Sequence, residues 1–240
     1  MKSTPTKTAV APPPAPARRA FTLIELLVVI SIIGVLAGLT LGVVVGVVKN
    51  KYISTARAEM ASIQAGIENY HSVYGVYPPS NPNNSLVNPL YFELVGTTNV
   101  VAPPTTNLTS LDGAHFVDVT KVLASLGVSG FINATRGSGD DKVPAKTFLA
   151  NLKANQVGTV TNPAGSGNPA VAILITSVGG PDQAYQPLGG PALNPWRYNS
   201  LNPTNNPGGY DLYVQLVING KTNLVCNWSK QAQINNPNYP

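Results

Sequence analysis

The sequence predicts an α+β fold in which a long N-terminal helix packs on a C-terminal antiparallel sheet. Three patterns carry that expectation. Residues 26–48 form an apolar run of 23 residues without a charge. Apolar residues then recur at alternating intervals of three and four from Ile53 to Tyr74. Near the C-terminus Leu212, Val214, Leu216 and Ile218 alternate, and Asn219-Gly220 follows them as a two-residue turn. The second pattern has the period of a helix and the third that of a strand with a hairpin.

Residues 1–20 come first and are rich in proline and alanine (Ala11-Pro12-Pro13-Pro14-Ala15-Pro16). Such a segment is extended and has no fold of its own. It holds Lys2, Lys7, Arg18 and Arg19 and no acid, so the net charge of +5 belongs mostly to the N-terminus. The next segment, 21–48, carries one charge, Glu25. Its 23 uncharged residues reach roughly 35 Å as a helix, enough for a hydrocarbon core about 30 Å thick. A secretory signal peptide has an apolar region of only about 7–15 residues and a different cleavage signature. The cations of the leader outnumber Lys49 and Lys51 beyond the run. That imbalance places the N-terminus in the cytoplasm and the rest of the chain outside the membrane.

The helix is expected to continue over 49–75. Ile53, Ala56, Met60, Ile63, Ile67, Tyr70 and Tyr74 make one apolar stripe, with Lys51, Arg57, Glu59, Gln64 and Glu68 on other faces. The stripe suits packing on the protein's own sheet, or alternatively a short coiled coil. Gly75 ends the helix and Pro78-Pro79 prevents its return. Residues 76–240 are numerous enough for one core. Asn88-Pro89 before Leu90–Val95 and Gly96 after it predict a short helix. Val119, Val122, Leu123 and Leu126 share a helical face, with Asp118 as cap and Gly127 as stop. Ala170–Thr176 reads as a central strand, and Tyr210–Ile218 and Thr222–Trp228 as a hairpin. Asn/Pro/Gly-rich loops are expected at 78–89, 161–169, 179–195 and 199–209.

Composition excludes several functions. Only 10% of the residues are charged, against about 25% in an average soluble domain. That is too few for a nucleic-acid partner. A single cysteine, Cys226, rules out an intrachain disulfide and a Cys-based zinc cage. His71 and His115 are the only histidines, and no Ser/His/Asp set can be assembled without arbitrary choices. Gly137–Lys142 lacks the spacing of an EF-hand or a P-loop and reads as a solvated turn. No catalytic or metal-ligating residue is expected, and the chain is not expected to be an enzyme.

Glu25 is the exception that needs a reason, because a carboxylate within a membrane span is costly. On its own it fits a headgroup-level residue reaching water. The whole string Arg18-Arg19-Ala20-Phe21-Thr22-Leu23-Ile24-Glu25-Leu26-Leu27 says more. It resembles the prepilin-like proteins of type IV pili and type II secretion systems. Tyr74-Gly75-Val76-Tyr77-Pro78, Asn194-Pro195-Trp196-Arg197-Tyr198 and Tyr210-Asp211-Leu212-Tyr213 are similar to segments of the major pseudopilins. The likeness covers residues 18–79 and 194–228. Residues about 80–193 form a divergent insert.

The resemblance implies a pilin-like fold and a structural role in a type II secretion pseudopilus. A prepilin peptidase that is also an N-methyltransferase would cut between Ala20 and Phe21 on the cytoplasmic side and methylate Phe21. Arg18 and Arg19 would supply the leader charge, and Glu25 would direct assembly. The implied partners are that peptidase, further copies of the chain, other pseudopilins, an inner-membrane platform and a motor ATPase. The mature protein would cross the inner membrane once, with its C-terminal domain periplasmic, before joining a filament. Ala20 departs from the family's usual glycine, and Gly42 stands near its usual kinking proline. Major pseudopilins hold calcium in an acidic C-terminal loop. Here no acid follows Asp211 and the Asn219-Gly220 hairpin stands instead, so no calcium or other cofactor is expected. A type IV pilus subunit is the near rival, which the missing disulfide disfavours. A membrane-tethered binding module that never polymerises is the rival of another class.

Overall fold

A computed structural model describes residues 21–102, 105–137, 139–161, 170–179, 185–190 and 193–236. The expectations for the leader, including Arg18, Arg19 and Ala20, lie outside the described residues. So do most of the predicted 161–169 loop and parts of the 179–195 loop. The fold is α+β. Helix α1 spans Leu23–Tyr74, and the chain divides within it into two compact units, Met1–Gly46 and Val47–Pro240.

In the first unit every large apolar side chain from Phe21 to Leu36 is exposed. Among the described residues no helix is long and apolar enough to cross a membrane. The side chains of residues 39–46, inside the run read from the sequence as a span, are not among those described.

In the second unit the predicted stripe of α1 is the buried face. Ala56, Met60, Ile63, Ile67 and Tyr70 are buried, while Ile53 and Tyr74 are half-buried against the same core. Packing inward outcompetes a coiled coil because the stripe meets aromatic and aliphatic partners within its own unit. The Tyr70 and Phe148 rings stand 5.4 Å apart, edge to face. Glu59 corrects the sequence reading. It is 8% exposed, and its carboxylate accepts from Thr176 Oγ1 at 2.9 Å and Ser177 N at 3.1 Å. A buried carboxylate is tolerable there because both donors are supplied. The helix ends at Gly75, whose φ of 72° is left-handed.

Helix α2 occupies Leu90–Val95, as expected, and all of its residues are buried. Strands β1 (Thr97–Ala102), β2 (Thr105–Ser110) and β3 (Phe116–Asp118) then form an antiparallel sheet that the sequence reading did not anticipate. Asp118 accepts from Thr120 N at 2.8 Å and caps a 3-10 turn, Val119–Lys121, that leads into α3, Val122–Leu126. The shared apolar face expected here divides. Val122 and Leu126 are buried, whereas Val119 and Leu123 are exposed. The 3-10 turn before residue 122 takes Val119 out of α-helical phase, and within α3 the buried face runs through Val122, Ser125 and Leu126, which leaves Leu123 outside it.

Strands β4 (Val157–Val160) and β5 (Val171–Leu174) pair antiparallel. The expected central strand is thus shorter than Ala170–Thr176. It is flanked on both sides all the same, because Trp196 N donates to Leu174 O and Thr176 N to Asn194 O. The last sheet has the order β6-β7-β8-β9, from β6 (Arg197–Asn199), β7 (Asp211–Ile218), β8 (Lys221–Cys226) and β9 (Gln233–Ile234). Leu212, Val214, Leu216 and Ile218 of β7 are all buried. Asn219 and Gly220 both take positive φ, 53° and 71°, as the predicted two-residue turn requires. The return strand stops at Cys226, short of Trp228.

Candidate functional site

The site that the sequence singles out is the start of α1. Phe21 is 83% exposed. Thr22 immediately precedes the helix and Glu25 is its third residue, the spacing of a capping box. Thr22 N donates to Glu25 Oε2 at 2.9 Å and Thr22 Oγ1 to the same oxygen at 2.7 Å. In return Glu25 N donates to Thr22 Oγ1 at 3.3 Å. Backbone donors that a helix start would leave unpaired are thereby satisfied. Glu25 Oε1 makes no hydrogen bond among the described residues. The carboxylate is therefore fixed through one oxygen and open at the other, and it stands at the end of the helix dipole that favours negative charge. The sequence reading named Glu25 and Phe21 but missed Thr22. The Thr-x-x-Glu spacing just before an apolar run was the signal that would have found it.

The two C-terminal segments named with this one lie at the far end of α1. Trp196 and Tyr198 are buried, and Tyr198 OH donates to Pro78 O at 2.9 Å. Ser200 Oγ donates to the same carbonyl at 2.7 Å. The Tyr77 and Tyr210 rings stand 5.1 Å apart. The Tyr74–Pro79 exit of the helix is therefore clasped by the 196–213 segment. Asp211 organises the intervening loop. Its oxygens accept from Thr204 N, Asn205 N and Asn206 N at 2.8, 3.0 and 3.0 Å, and from both asparagine side chains.

A second polar centre was not visible in the sequence. Glu93 on α2 is fully buried. It accepts from Tyr70 OH at 2.9 Å, Ile132 N at 2.9 Å and Asn133 N at 3.0 Å. Asn133 Oδ1 in turn accepts from Tyr74 OH at 2.8 Å and Lys146 N at 2.8 Å. Burial pushes the Glu93 pKa up, against the pull of the Asn133 and Ile132 N–H groups and the Tyr70 hydroxyl. This hub joins α1, α2 and the 132–146 segment and faces no solvent, which suits a structural role.

Catalytic geometry does not emerge around the two histidines. His71 stacks on Tyr77 at 4.2 Å and His115 stands edge to face with Tyr91 at 5.4 Å. Among the described residues no group of three or more His, Cys, Asp or Glu is placed to hold a metal ion. In the 137–142 turn Asp140 and Asp141 are exposed, and Ser138 is outside the described residues.

Residues 16–41 match the family model of the prokaryotic N-terminal methylation motif, the prepilin-like signature of type IV pilins and pseudopilins. The chain thus carries the mark of a structural, pilin-type protein, and its helix followed by antiparallel sheets is consistent with a pilin-like fold. No curated protein and no solved structure matches it.

Proposed function

We propose that the chain is a structural subunit of a type II secretion pseudopilus. The prepilin peptidase cuts between Ala20 and Phe21 and methylates the new amine. The uncharged run 26–48 then holds the subunit in the inner membrane, with residues 76–240 outside. Subunits polymerise through α1, driven by the platform and motor of the assembly system, and the filament supports protein secretion. The observation that carries this reading is the methylation motif over residues 16–41, with Glu25 presented at the first turn of α1. The single cysteine favours secretion over a type IV pilus, whose subunits often close a C-terminal loop with a disulfide.

Mass spectrometry of the protein extracted from membranes tests the first step. The expected N-terminus is an N-methylated Phe21. An intact Met1, or a cut beyond residue 35, would identify a plain tether or a signal-peptide substrate. Genes for a secretin, a motor ATPase and a platform protein beside this one would then separate secretion from a pilus.

A further inference from the structure

A small cavity lies in the second unit between α1, the 149–156 segment and β5, with a volume of about 30 Å³. Ile63 and Leu174 give it apolar walls, and Glu59, Ser62, Gln156 and Trp196 bring polar side chains to its lining. A cavity admits a water molecule once its volume exceeds roughly 10–15 Å³ and a few polar partners surround it. An organic ligand needs about 300 Å³ or more, so nothing much larger than solvent fits. Ser62 is exposed and marks the side from which solvent enters.

Two of the lining groups are short of partners, and their shortages are opposite in kind. Trp196 is 1% exposed, and its indole Nε1–H has no acceptor among the described residues. A buried donor left unpaired costs about 1–3 kcal/mol. The residue is pinned where it lies, since Trp196 N donates to Leu174 O and Trp196 O accepts from Asn88 Nδ2 at 2.9 Å. Glu59 is the group with acceptor capacity to spare. Its Oε2 accepts from Thr176 Oγ1 at 2.9 Å and Ser177 N at 3.1 Å, whereas Oε1 has only the longer branch of the Ser177 contact, at 3.3 Å. A carboxylate offers about four lone-pair sites, so this one has room for a further donor.

We propose that the cavity binds a water molecule that accepts from Trp196 Nε1–H and donates to the Glu59 carboxylate. Water donates and accepts at once, and a bridging water is nearly as good as a direct hydrogen bond. A metal ion is the wrong chemistry, because the indole turns a positive hydrogen towards it. An anion is wrong for the opposite reason, since it would meet the carboxylate. Ser62 and Gln156 offer an oxygen to the second hydrogen of the water. The bridge ties the buried face of α1 to the segment that leads into β6.

The test uses the full mature chain, residues 21–240, in detergent micelles and isotope-labelled at the indole nitrogens. The chain has 2 tryptophans, and Trp228→Phe identifies the Trp196 signal. Nuclear Overhauser spectra are read between that indole proton and water. The expected result is a direct cross-peak with the sign of a long-lived contact. It should persist in Ser62→Ala, which removes a hydroxyl proton that would relay the signal. Glu59→Gln keeps an oxygen for Thr176 but presents no carboxylate to the water. There the cross-peak should weaken while the Trp228 signal stays in place. Absence of the cross-peak in the unaltered chain overturns the proposal, and so does its loss in Ser62→Ala. An undiminished cross-peak in Glu59→Gln overturns the bridge to α1.

Discussion

Glu93 shows how much one side chain can organise without facing solvent. Its carboxylate is bound by three uncharged donors from α1 and the 132–133 segment, and no cation is among them. Desolvation raises its pKa above the ordinary carboxylate value of 4.5. A raised carboxyl pKa means that the folded state holds its proton more tightly than the unfolded state. The stability from that protonation is complete below the unfolded value and is lost as pH rises through the folded one. The melting temperature should accordingly fall as pH climbs out of the carboxylate range. In Glu93→Gln that part of the slope should vanish. The variant should also lose about 1–3 kcal/mol in acid, because its amide nitrogen faces an N–H donor of Ile132 or Asn133. Thermal melts from acid to neutral pH measure both, and an unchanged slope in the variant would sink the argument. In the sequence Glu93 is one polar residue in Leu90–Val95. Its partners lie 23, 39 and 40 positions away, which no local pattern can reveal. Glu59 was misplaced for the same reason, whereas Glu25 and Phe21 were legible because their signal is confined to a short string.

At the scale of elements, what was legible is what is local and periodic. The α1 stripe, the β7–β8 hairpin and α2 follow from spacing, a turn dipeptide and the Pro89 and Gly96 boundaries. The β1–β3 sheet escaped notice because Thr97–Ala102 and Thr105–Ser110 hold threonines and asparagines where an apolar alternation would be expected. Their tendency to form strands rests on β-branched residues and cross-strand pairing, which a hydropathy pattern does not register. The 199–209 loop was read correctly as a loop, but its order comes from Asp211. That carboxylate is 4% exposed and gathers the N–H groups of three successive residues. We infer that this clamp does the work that a bound calcium ion does in the resembled pseudopilins. Calcium needs about six to eight oxygens, and here the last acid of the chain is already committed to N–H donors. Added calcium should therefore leave the melting temperature unchanged, whereas Asp211→Asn should lower it, since one side-chain oxygen is exchanged for a donor among donors. A calcium-dependent rise in melting temperature would contradict the clamp.

For the whole molecule the decisive question is what Glu25 does once subunits meet. Two roles converge on it, and they differ in whether they need charge. As the third residue of a capping box it needs only an oxygen that accepts from Thr22, and glutamine serves that purpose as well. As the partner of the Phe21 amine of an incoming subunit it needs a negative charge. Phe21 precedes the Thr22 cap and Glu25 lies in the first turn of α1, so a contact between them within one subunit competes with the Thr22 bonds. In the proposed filament the amine would meet the open Oε1 across subunits among apolar helices. An unpaired charge there costs several kcal/mol, and pairing removes that cost for both partners. Losing the cap alone costs about 0.5–2 kcal/mol of helix stability. Glu25→Ala removes both functions and should leave cleavage intact while blocking filament assembly. Glu25→Asp draws the carboxylate back by one methylene and should be partly defective. Glu25→Gln separates the roles, since it keeps the cap and abolishes the charge. If pairing sets the register of assembly, the glutamine variant should be processed normally, show normal helicity and yet fail to enter filaments. Filament yield by shearing and immunoblot, read beside N-terminal processing, decides the matter. Normal filaments from Glu25→Gln, with loss only in Glu25→Ala, would make Glu25 a helix cap and not an assembly partner.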